Sequence, residues 1–176
     1  MKTTEITLTI VFTSLYAVLL IVLAPISFGP IQLRVADCLI PLAALFGWPA
    51  ITGVTMGCLI GNAYFWLGPQ DVIFGTLANL IAAIIVFMLR KRQLIASTAG
   101  ALPIGVIVGG YLSLFFGFEA DIFGLQLSPI VGMIVSVTLS TIIAMSVLGY
   151  ALLKALSSST VVQSLKSYGV KVYTNE

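Results

Sequence analysis

Six apolar stretches, separated by short polar connections, constrain the fold of this chain more than any other feature. A helix that crosses a bilayer needs roughly 20 predominantly apolar residues. Charged residues make up only 8% of the chain, whereas a soluble domain carries roughly a quarter. The sequence therefore predicts an all-α membrane protein with six transmembrane helices, near residues 6–26, 38–47, 50–67, 72–89, 94–116 and 128–153.

The number of spans depends on residues 38–67, for which the sequence leaves two interpretations open. This stretch could be two helices, or one long helix bent at Gly47-Trp48-Pro49. A proline with a preceding glycine more often marks a hairpin than a straight run. Two helices, and hence six spans in total, are the preferred interpretation.

The distribution of charge predicts the topology. Three basic residues follow the fourth apolar run at 90–92, and three lysines follow the last run. By the positive-inside rule both groups belong in the cytoplasm, which predicts a multi-pass plasma-membrane protein with both termini inside. The opposite side then receives one positive and four negative charges. We expect a six-helix transmembrane domain over 1–156 and a polar cytoplasmic tail over 157–176.

Several chemistries are disfavoured by the residue inventory. The chain has no histidine, the commonest general base and metal ligand. Cys38 and Cys58 lie in apolar segments, without metal-ligand or disulfide spacing. No Gly-x-x-x-x-Gly-Lys-[Ser/Thr] loop for ATP is present. We therefore expect no enzyme activity, cofactor, metal or nucleic-acid partner, and active transport would need ATPase partners.

Small residues recur at helical spacing on three of the predicted spans. In lipid, such residues let helix backbones approach closely. Packing within the chain is the expected role of the glycines, whereas the first span's stripe could equally face a partner protein. The residues are Gly53, Gly57 and Gly61, then Gly105 and Gly109, and Thr9, Thr13 and Ala17 on the first span.

Polar side chains gather near the predicted outer ends of the spans. Ionisable groups at membrane depth are costly and are functional candidates by default. Amides and a guanidinium can bind a carbonyl or ring nitrogen, carboxylates can accept N–H groups, and aromatic rings can stack on a flat ligand. The inventory suits a small polar heterocycle, with a cationic one favoured by the acidic outer side. The candidate substrate-binding residues are Gln32, Arg34, Asp37, Asn62, Trp66, Asp71, Asn79 and Glu119.

Six of the eight candidates also have a purely structural interpretation. Arg34 and Asp37 could form a surface salt bridge in a loop, which contributes little. Asp71 could cap a helix, and Trp66 could belong to the aromatic belt at the membrane interface. Asn79 lies well inside a span, where its structural role would be a hydrogen bond between helices. Glu119 could be a solvated loop charge.

Four linked motifs make the chain similar to a known family. They are IQLRVAD at 31–37, PAITG at 49–53, GCLIGN at 57–62 and DVIFGTLANLIAA at 71–83. Over about residues 28–85 the chain resembles the QueT-type family, the queuosine-precursor substrate-binding proteins (S components) of energy-coupling factor (ECF) transporters. The matching site residues are Gln32, Arg34, Asp37, Asn62 and Asp71, with Asp37 where the family commonly has glutamate.

The resemblance implies a six-helix, ECF S-component-like bundle. It implies capture of a 7-deazaguanine such as 7-aminomethyl-7-deazaguanine from outside, and inward release with a transmembrane coupling protein and two ATPase subunits. In this interpretation Gln32 or Arg34 binds the ring carbonyl, and Asp37 or Asp71 accepts the N–H groups of the guanidine-like edge. Trp66 or Tyr64 stacks on the ring, while Glu119 or Asp121 holds an aminomethyl cation.

From about residue 97 the match to the family pattern fades. Ile104-Gly105 follows Leu102-Pro103 where the family usually has asparagine-alanine, and Gly132-Met133 stands in place of a glycine-glutamate pair. Asn79 replaces a usual threonine. Three alternatives stay open: an S component for another ligand such as a flavin, thiamine or a different nucleobase, a structural membrane subunit without a ligand, and, least favoured, a lipid-modifying enzyme.

Overall fold

The computed structural model describes residues 2–27, 33–115, 120–122 and 125–173, with only the backbone described for 120–122 and 125–127. Each of the six predicted apolar stretches contains a helix, and the described residues also include a short hairpin and a C-terminal helix. The elements are α1 (Thr3–Val22), α2 (Ala24–Ser27), α3 (Val35–Phe46), α4 (Trp48–Phe65), α5 (Asp71–Met88), α6 (Gln93–Leu112), β1 (Ala120–Ile122), β2 (Leu125–Leu127), α7 (Pro129–Leu156) and α8 (Ser159–Ser167).

The prediction of an all-α membrane protein is confirmed. In the described part of the chain, α1, α5, α6 and α7 are each long and apolar enough to cross a membrane. The 18-residue α4 would extend about 27 Å at 1.5 Å per residue, and α3 is a shorter apolar helix. The two strands form an antiparallel hairpin with Asp121 opposite Gln126.

Residues 38–67 form two helices rather than one bent helix. The break lies at Gly47, whose backbone has φ +64°, a left-handed conformation that glycine adopts without a steric penalty. Pro49 then occupies the first turn of α4, where its missing N–H would have had no helical partner in any case. The local sequence therefore ends α3 and begins α4 within one residue.

The short α3 lies in the middle of the bundle and contacts α1, α4, α5, α6 and α7. Its first eight residues form a 3₁₀ helix that contains Pro41. Gly149 of α7 lets this helix approach closely, since a Cβ there would lie 2.7 Å from Pro41 Cγ. Because α3 is surrounded, its polar N-terminal residues are enclosed by protein instead of facing lipid.

The glycine stripe of α4 packs inside the chain, as predicted. A Cβ on Gly57 would lie 2.6 Å from Tyr16 Cβ, and Gly61 faces Leu20 in the same way. Across this interface Thr13 Oγ1 donates a 3.2 Å hydrogen bond to the Gly53 carbonyl. The threonine stripe of α1 therefore packs against α4 of the same chain. Of the two roles considered for this stripe, this is packing within the chain.

The last described residues pack against the end of the bundle that carries the 90–92 basic turn. Val162 of α8 is buried, and the Tyr173 N–H donates a 2.8 Å hydrogen bond to the Leu45 carbonyl. The Tyr173 ring lies edge-on to Phe87 at 5.1 Å and close to Gly47. We call residues 170–173 the strap.

Candidate functional site

Polar side chains from five helices meet at the end of the bundle opposite the strap. Asn62 lies in the last turn of α4 and Asp71 in the first turn of α5, so the short connection between these helices keeps them adjacent. Tyr111 comes from the end of α6, and Tyr16 from α1. The N-terminus of the central α3 adds Asp37 to the same region.

Tyr16 is the centre of the first half of this cluster. Its hydroxyl donates to Asp37 Oδ1 and accepts hydrogen bonds from Arg34 Nη2 at 2.9 Å and Asn79 Nδ2 at 2.7 Å. Arg34 Nε lies 3.8 Å from Asp37 Oδ1. Three helices and the residue before α3 are thereby held together by one phenol oxygen, which uses its single donor and both acceptor positions.

Asp71 is the centre of the second half. The Tyr111 hydroxyl donates a 2.5 Å hydrogen bond to Asp71 Oδ1, and Asn62 Nδ2 donates to the Asp71 carbonyl at 3.0 Å. Cys58 joins the two halves, because Arg34 Nη2 lies 3.0 Å from its sulfur and Asn62 Nδ2 lies 3.6 Å from it. The two carboxyl groups are therefore members of one connected network.

Gly75 borders the second half of the cluster. A Cβ at this position would lie 2.6 Å from Asn62 Nδ2, 3.3 Å from the Tyr111 hydroxyl and 3.6 Å from Asp71 Oδ1. Any side chain here would press on the polar groups that surround it. The glycine leaves them accessible to one another, and it sits where α5 begins with a π turn over Asp71–Gly75.

Several buried atoms of the cluster have no hydrogen-bond partner among the described residues. Buried polar groups are normally paired, and each unpaired one costs about 1–3 kcal/mol. Four of the atoms are acceptors and one is a donor. They are Asp37 Oδ2, Asp71 Oδ2, Asn62 Oδ1 and Asn79 Oδ1, and the donor Arg34 Nε.

The charges of the cluster are enclosed by protein. The Asp37 side chain is fully buried, Arg34 is 3% exposed and Asp71 is 2% exposed. Transfer of charged groups out of water is expensive unless each is paired and fully hydrogen-bonded. One guanidinium and two carboxyl groups with open hydrogen-bonding positions form an arrangement suited to a polar ligand that supplies several N–H donors and one acceptor.

The structure brings together five of the eight predicted site residues: Arg34, Asp37, Asn62, Asp71 and Asn79. The surface salt-bridge interpretation does not apply, because both members of that pair are buried. Asp71 receives its hydrogen bond from another helix, not from its own first turn. The Asn79 amide does bond across helices, and its carbonyl oxygen is one of the unpartnered atoms.

The other three predicted residues are not in the described cluster. Gln32 and Glu119 lie outside the described residues. Trp66 ends α4 with φ +43°, and its side chain is 62% exposed. Tyr64, the other predicted stacking residue, is 69% exposed. Stacking by either ring stays a prediction.

Sequence reasoning missed Tyr16, Cys58 and Tyr111. Each lies inside an apolar run, where it resembles an ordinary core or interface residue. The available signal was the phenol hydroxyl, which needs a hydrogen-bond partner when it is buried in a span. Among the described residues no group of three or more Cys, Asp or Glu could hold a metal ion.

These features define a helical membrane protein with an enclosed polar site at one end of its bundle. The model of the QueT transporter family matches residues 6–158, and the chain belongs to that family, as the four motifs predicted. The chain is 38% identical over 84 residues to the queuosine precursor transporter QueT of Lactococcus lactis subsp. cremoris (strain MG1363). That alignment covers 46% of this chain and 47% of the relative, so the match spans about half of the relative's length. No solved structure matches the chain.

Proposed function

We propose that this protein is the membrane substrate-binding subunit for uptake of a queuosine precursor, a 7-deazaguanine such as 7-aminomethyl-7-deazaguanine. The ligand is captured from the outside and released inward with a shared, ATP-driven energy-coupling module. The observation that carries the proposal is the set of unpartnered buried atoms, four acceptors and one donor, in a single cluster.

The hydrogen-bonding edge of a 7-deazaguanine complements this set. The ring carries a carbonyl beside a ring N–H and an exocyclic amino group, so it presents one acceptor next to several donors. Arg34 Nε is the donor available for the carbonyl. The free carboxylate oxygens of Asp37 and Asp71 are acceptors for the N–H groups, and charge-assisted bonds of this kind are stronger than neutral ones.

Charge and relatedness support the same ligand class. Two carboxyl groups and one guanidinium favour a ligand with a positive substituent, which an aminomethyl group supplies. The relative from Lactococcus lactis carries the name queuosine precursor transporter. The match covers residues 6–158, which include every described residue of the polar cluster.

A binding titration tests the proposal directly. The purified full chain carries tryptophans at 48 and 66, at opposite ends of α4, so a Trp48→Phe variant leaves only the one beside the cluster as a reporter. This variant is titrated with 7-aminomethyl- and 7-cyano-7-deazaguanine, guanine, riboflavin and thiamine. We expect saturable quenching by the deazaguanines alone. Tight binding of riboflavin or thiamine instead would mean that the proposed substrate is wrong. The absence of quenching by every compound, confirmed as an absence of binding by calorimetry, would contradict the proposal.

Matched carboxyl substitutions locate the binding site. Asp71→Asn keeps the size of the side chain but removes its charge, and we expect a loss of affinity of roughly 10- to 100-fold, as for a buried charged hydrogen bond. Glu5→Gln removes a carboxylate at the opposite end of the bundle and serves as the control. Equal affinities for Asp71→Asn and wild type would exclude this site.

A further inference from the structure

A polar surface cavity lies at the end of the bundle away from the cluster, where α5, α6 and α7 approach one another. It has a volume of about 310 Å³, at the small end of the range for ligand pockets. Its lining comes from the turn after α5, the first residues of α6 and the end of α7. The lining residues are Lys91, Arg92, Gln93, Leu94, Ile95, Tyr150 and Lys154.

Positive charge dominates this cavity. Lys91, Arg92 and Lys154 all line it, and no carboxylate is among its described lining residues. Arg90, the remaining cation of the basic turn, is engaged elsewhere, stacked 4.7 Å from the Phe87 ring centroid. Arg92 and Lys154 come from different helical segments and bring like charges to the same space, which favours an anion between them.

The cavity also has an apolar side. Leu94 and Ile95 are 50% and 52% exposed, and they belong to the first turn of α6, a helix long and apolar enough to cross a membrane. The Lys154 ammonium lies 5.7 Å from the Tyr150 ring centroid, so its aliphatic stem and that ring border the cations. Cationic and apolar groups therefore lie side by side in the lining, an arrangement that complements an amphiphilic ligand.

We propose that this cavity binds the phosphate headgroup of an anionic phospholipid, with the acyl chains along Leu94 and Ile95. The volume accommodates a headgroup but not the chains, which stay in the surrounding bilayer. Basic pockets between transmembrane helices on the cytoplasmic side are suited to such headgroups. A free phosphate or nucleotide would leave the apolar side unused. The proposal does not depend on what the polar cluster at the opposite end binds.

Native mass spectrometry of the full chain released from detergent tests the proposal, with phosphatidylglycerol and phosphatidylcholine as probes. We expect wild type to retain phosphatidylglycerol preferentially. The double variant Arg92→Gln/Lys154→Gln should lose at least about tenfold in apparent affinity, given the contribution of each basic residue near a membrane surface. Arg92→Lys/Lys154→Arg keeps the charges and should retain binding.

The control is Lys166→Gln/Lys171→Gln. These lysines line a different cavity at the same end of the bundle, together with Glu5. The control therefore also removes two positive charges, but from outside the proposed lipid site. Equal losses in the control and test variants would show general surface attraction and overturn the site. Equal retention of the two lipids by wild type, or complete displacement of phosphatidylglycerol by equimolar inorganic phosphate, would also overturn it.

Discussion

The Tyr111 hydroxyl at the end of α6 donates a 2.5 Å hydrogen bond to the Asp71 carboxylate at the start of α5. This bond leaves one oxygen of Asp71 without a partner among the described residues. On the other side of the cluster Tyr16 holds Asp37 in the same way, and Asp37 also keeps one open oxygen. Two tyrosines from different helices therefore each orient one carboxylate, and the second oxygen of each carboxylate has no partner among the described residues.

Removal of the Tyr111 hydroxyl tests this arrangement. In Tyr111→Phe, Asp71 Oδ1 loses its donor while the ring volume is kept, so the carboxylate is free to turn away from the site. We expect about 1–3 kcal/mol of lost ligand binding, the cost of an unsatisfied buried group. Calorimetric titration with 7-aminomethyl-7-deazaguanine measures it.

Tyr150→Phe is the matched control, because that hydroxyl lies at the opposite end of the bundle. Its affinity for the heterocycle should equal that of wild type. If Tyr111→Phe also binds as wild type does, the bond to Asp71 has no part in ligand binding.

The buried pair Arg34 and Asp37 should show strong coupling in stability. Arg34→Gln alone leaves the Asp37 carboxyl without its cation, and loss of one partner of a buried pair costs about 3–5 kcal/mol. Arg34→Gln/Asp37→Asn removes both charges and should be less destabilised than the single variant. Thermal unfolding in detergent, followed by circular dichroism, gives the order of the midpoints.

The comparison of the double variant with the two single variants, Arg34→Gln and Asp37→Asn, shows whether the two side chains interact. A double variant whose midpoint falls by the sum of the two single effects would mean that the two side chains do not interact. Ligand must be left out of this measurement, since binding would shift the midpoints by mass action.

A methyl group at Gly75 should damage the site without unfolding the helix. The added Cβ would lie 2.6 Å from Asn62 Nδ2, which forces the amide away from the Asp71 carbonyl. We expect Gly75→Ala to weaken ligand binding by roughly tenfold, the equivalent of one displaced hydrogen bond.

Gly110→Ala provides the control for helix propensity, since no atom lies within 4 Å of a Cβ built there. It should bind ligand normally and be as stable as wild type or slightly more stable, because alanine favours helix over glycine. Wild-type affinity in Gly75→Ala would show that the Asn62 amide can move without consequence.

The interface between α1 and α4 should transmit disturbance to the cluster. In Gly57→Ala the new Cβ would lie 2.6 Å from Tyr16 Cβ and 2.8 Å from the Thr13 carbonyl oxygen. Because backbone atoms are involved, the helices must separate, and overpacking of this kind costs about 1–3 kcal/mol. Tyr16 moves with α1, so the thermal midpoint and ligand affinity should fall together. A fall in the midpoint with unchanged affinity would show that the cluster is insensitive to this interface.

The strap should stabilise the end of the bundle opposite the cluster. Tyr173→Ala removes the ring that packs on Phe87 and Gly47, and Arg90 loses one of its two aromatic neighbours. We expect faster proteolysis after α8 and unchanged ligand binding. Tyr168→Ala, at a side chain that is 79% exposed, is the control and should be cleaved no faster than wild type.

Local sequence features were enough to predict the helical membrane class, the approximate positions of the six apolar helices and most of the candidate residues. Apolar runs, the Gly47 break and the Pro49 start are local features, so their consequences can be deduced without the fold. Arg34, Asp37 and Asn79 were identifiable because polar groups in an apolar stretch are costly wherever they point.

Which of these side chains contact one another depends on how the helices pack, and local sequence features do not predict it. The bond from Asn79 to Tyr16 joins residues 63 positions apart, and that from Tyr111 to Asp71 joins residues 40 apart. Such contacts depend on the rotation and spacing of whole helices, set by close approaches such as that of Gly57 to Tyr16. The sequence around a hydroxyl in an apolar run does not indicate its hydrogen-bond partner, because the packing of the helices, and not the neighbouring residues, determines which group it contacts.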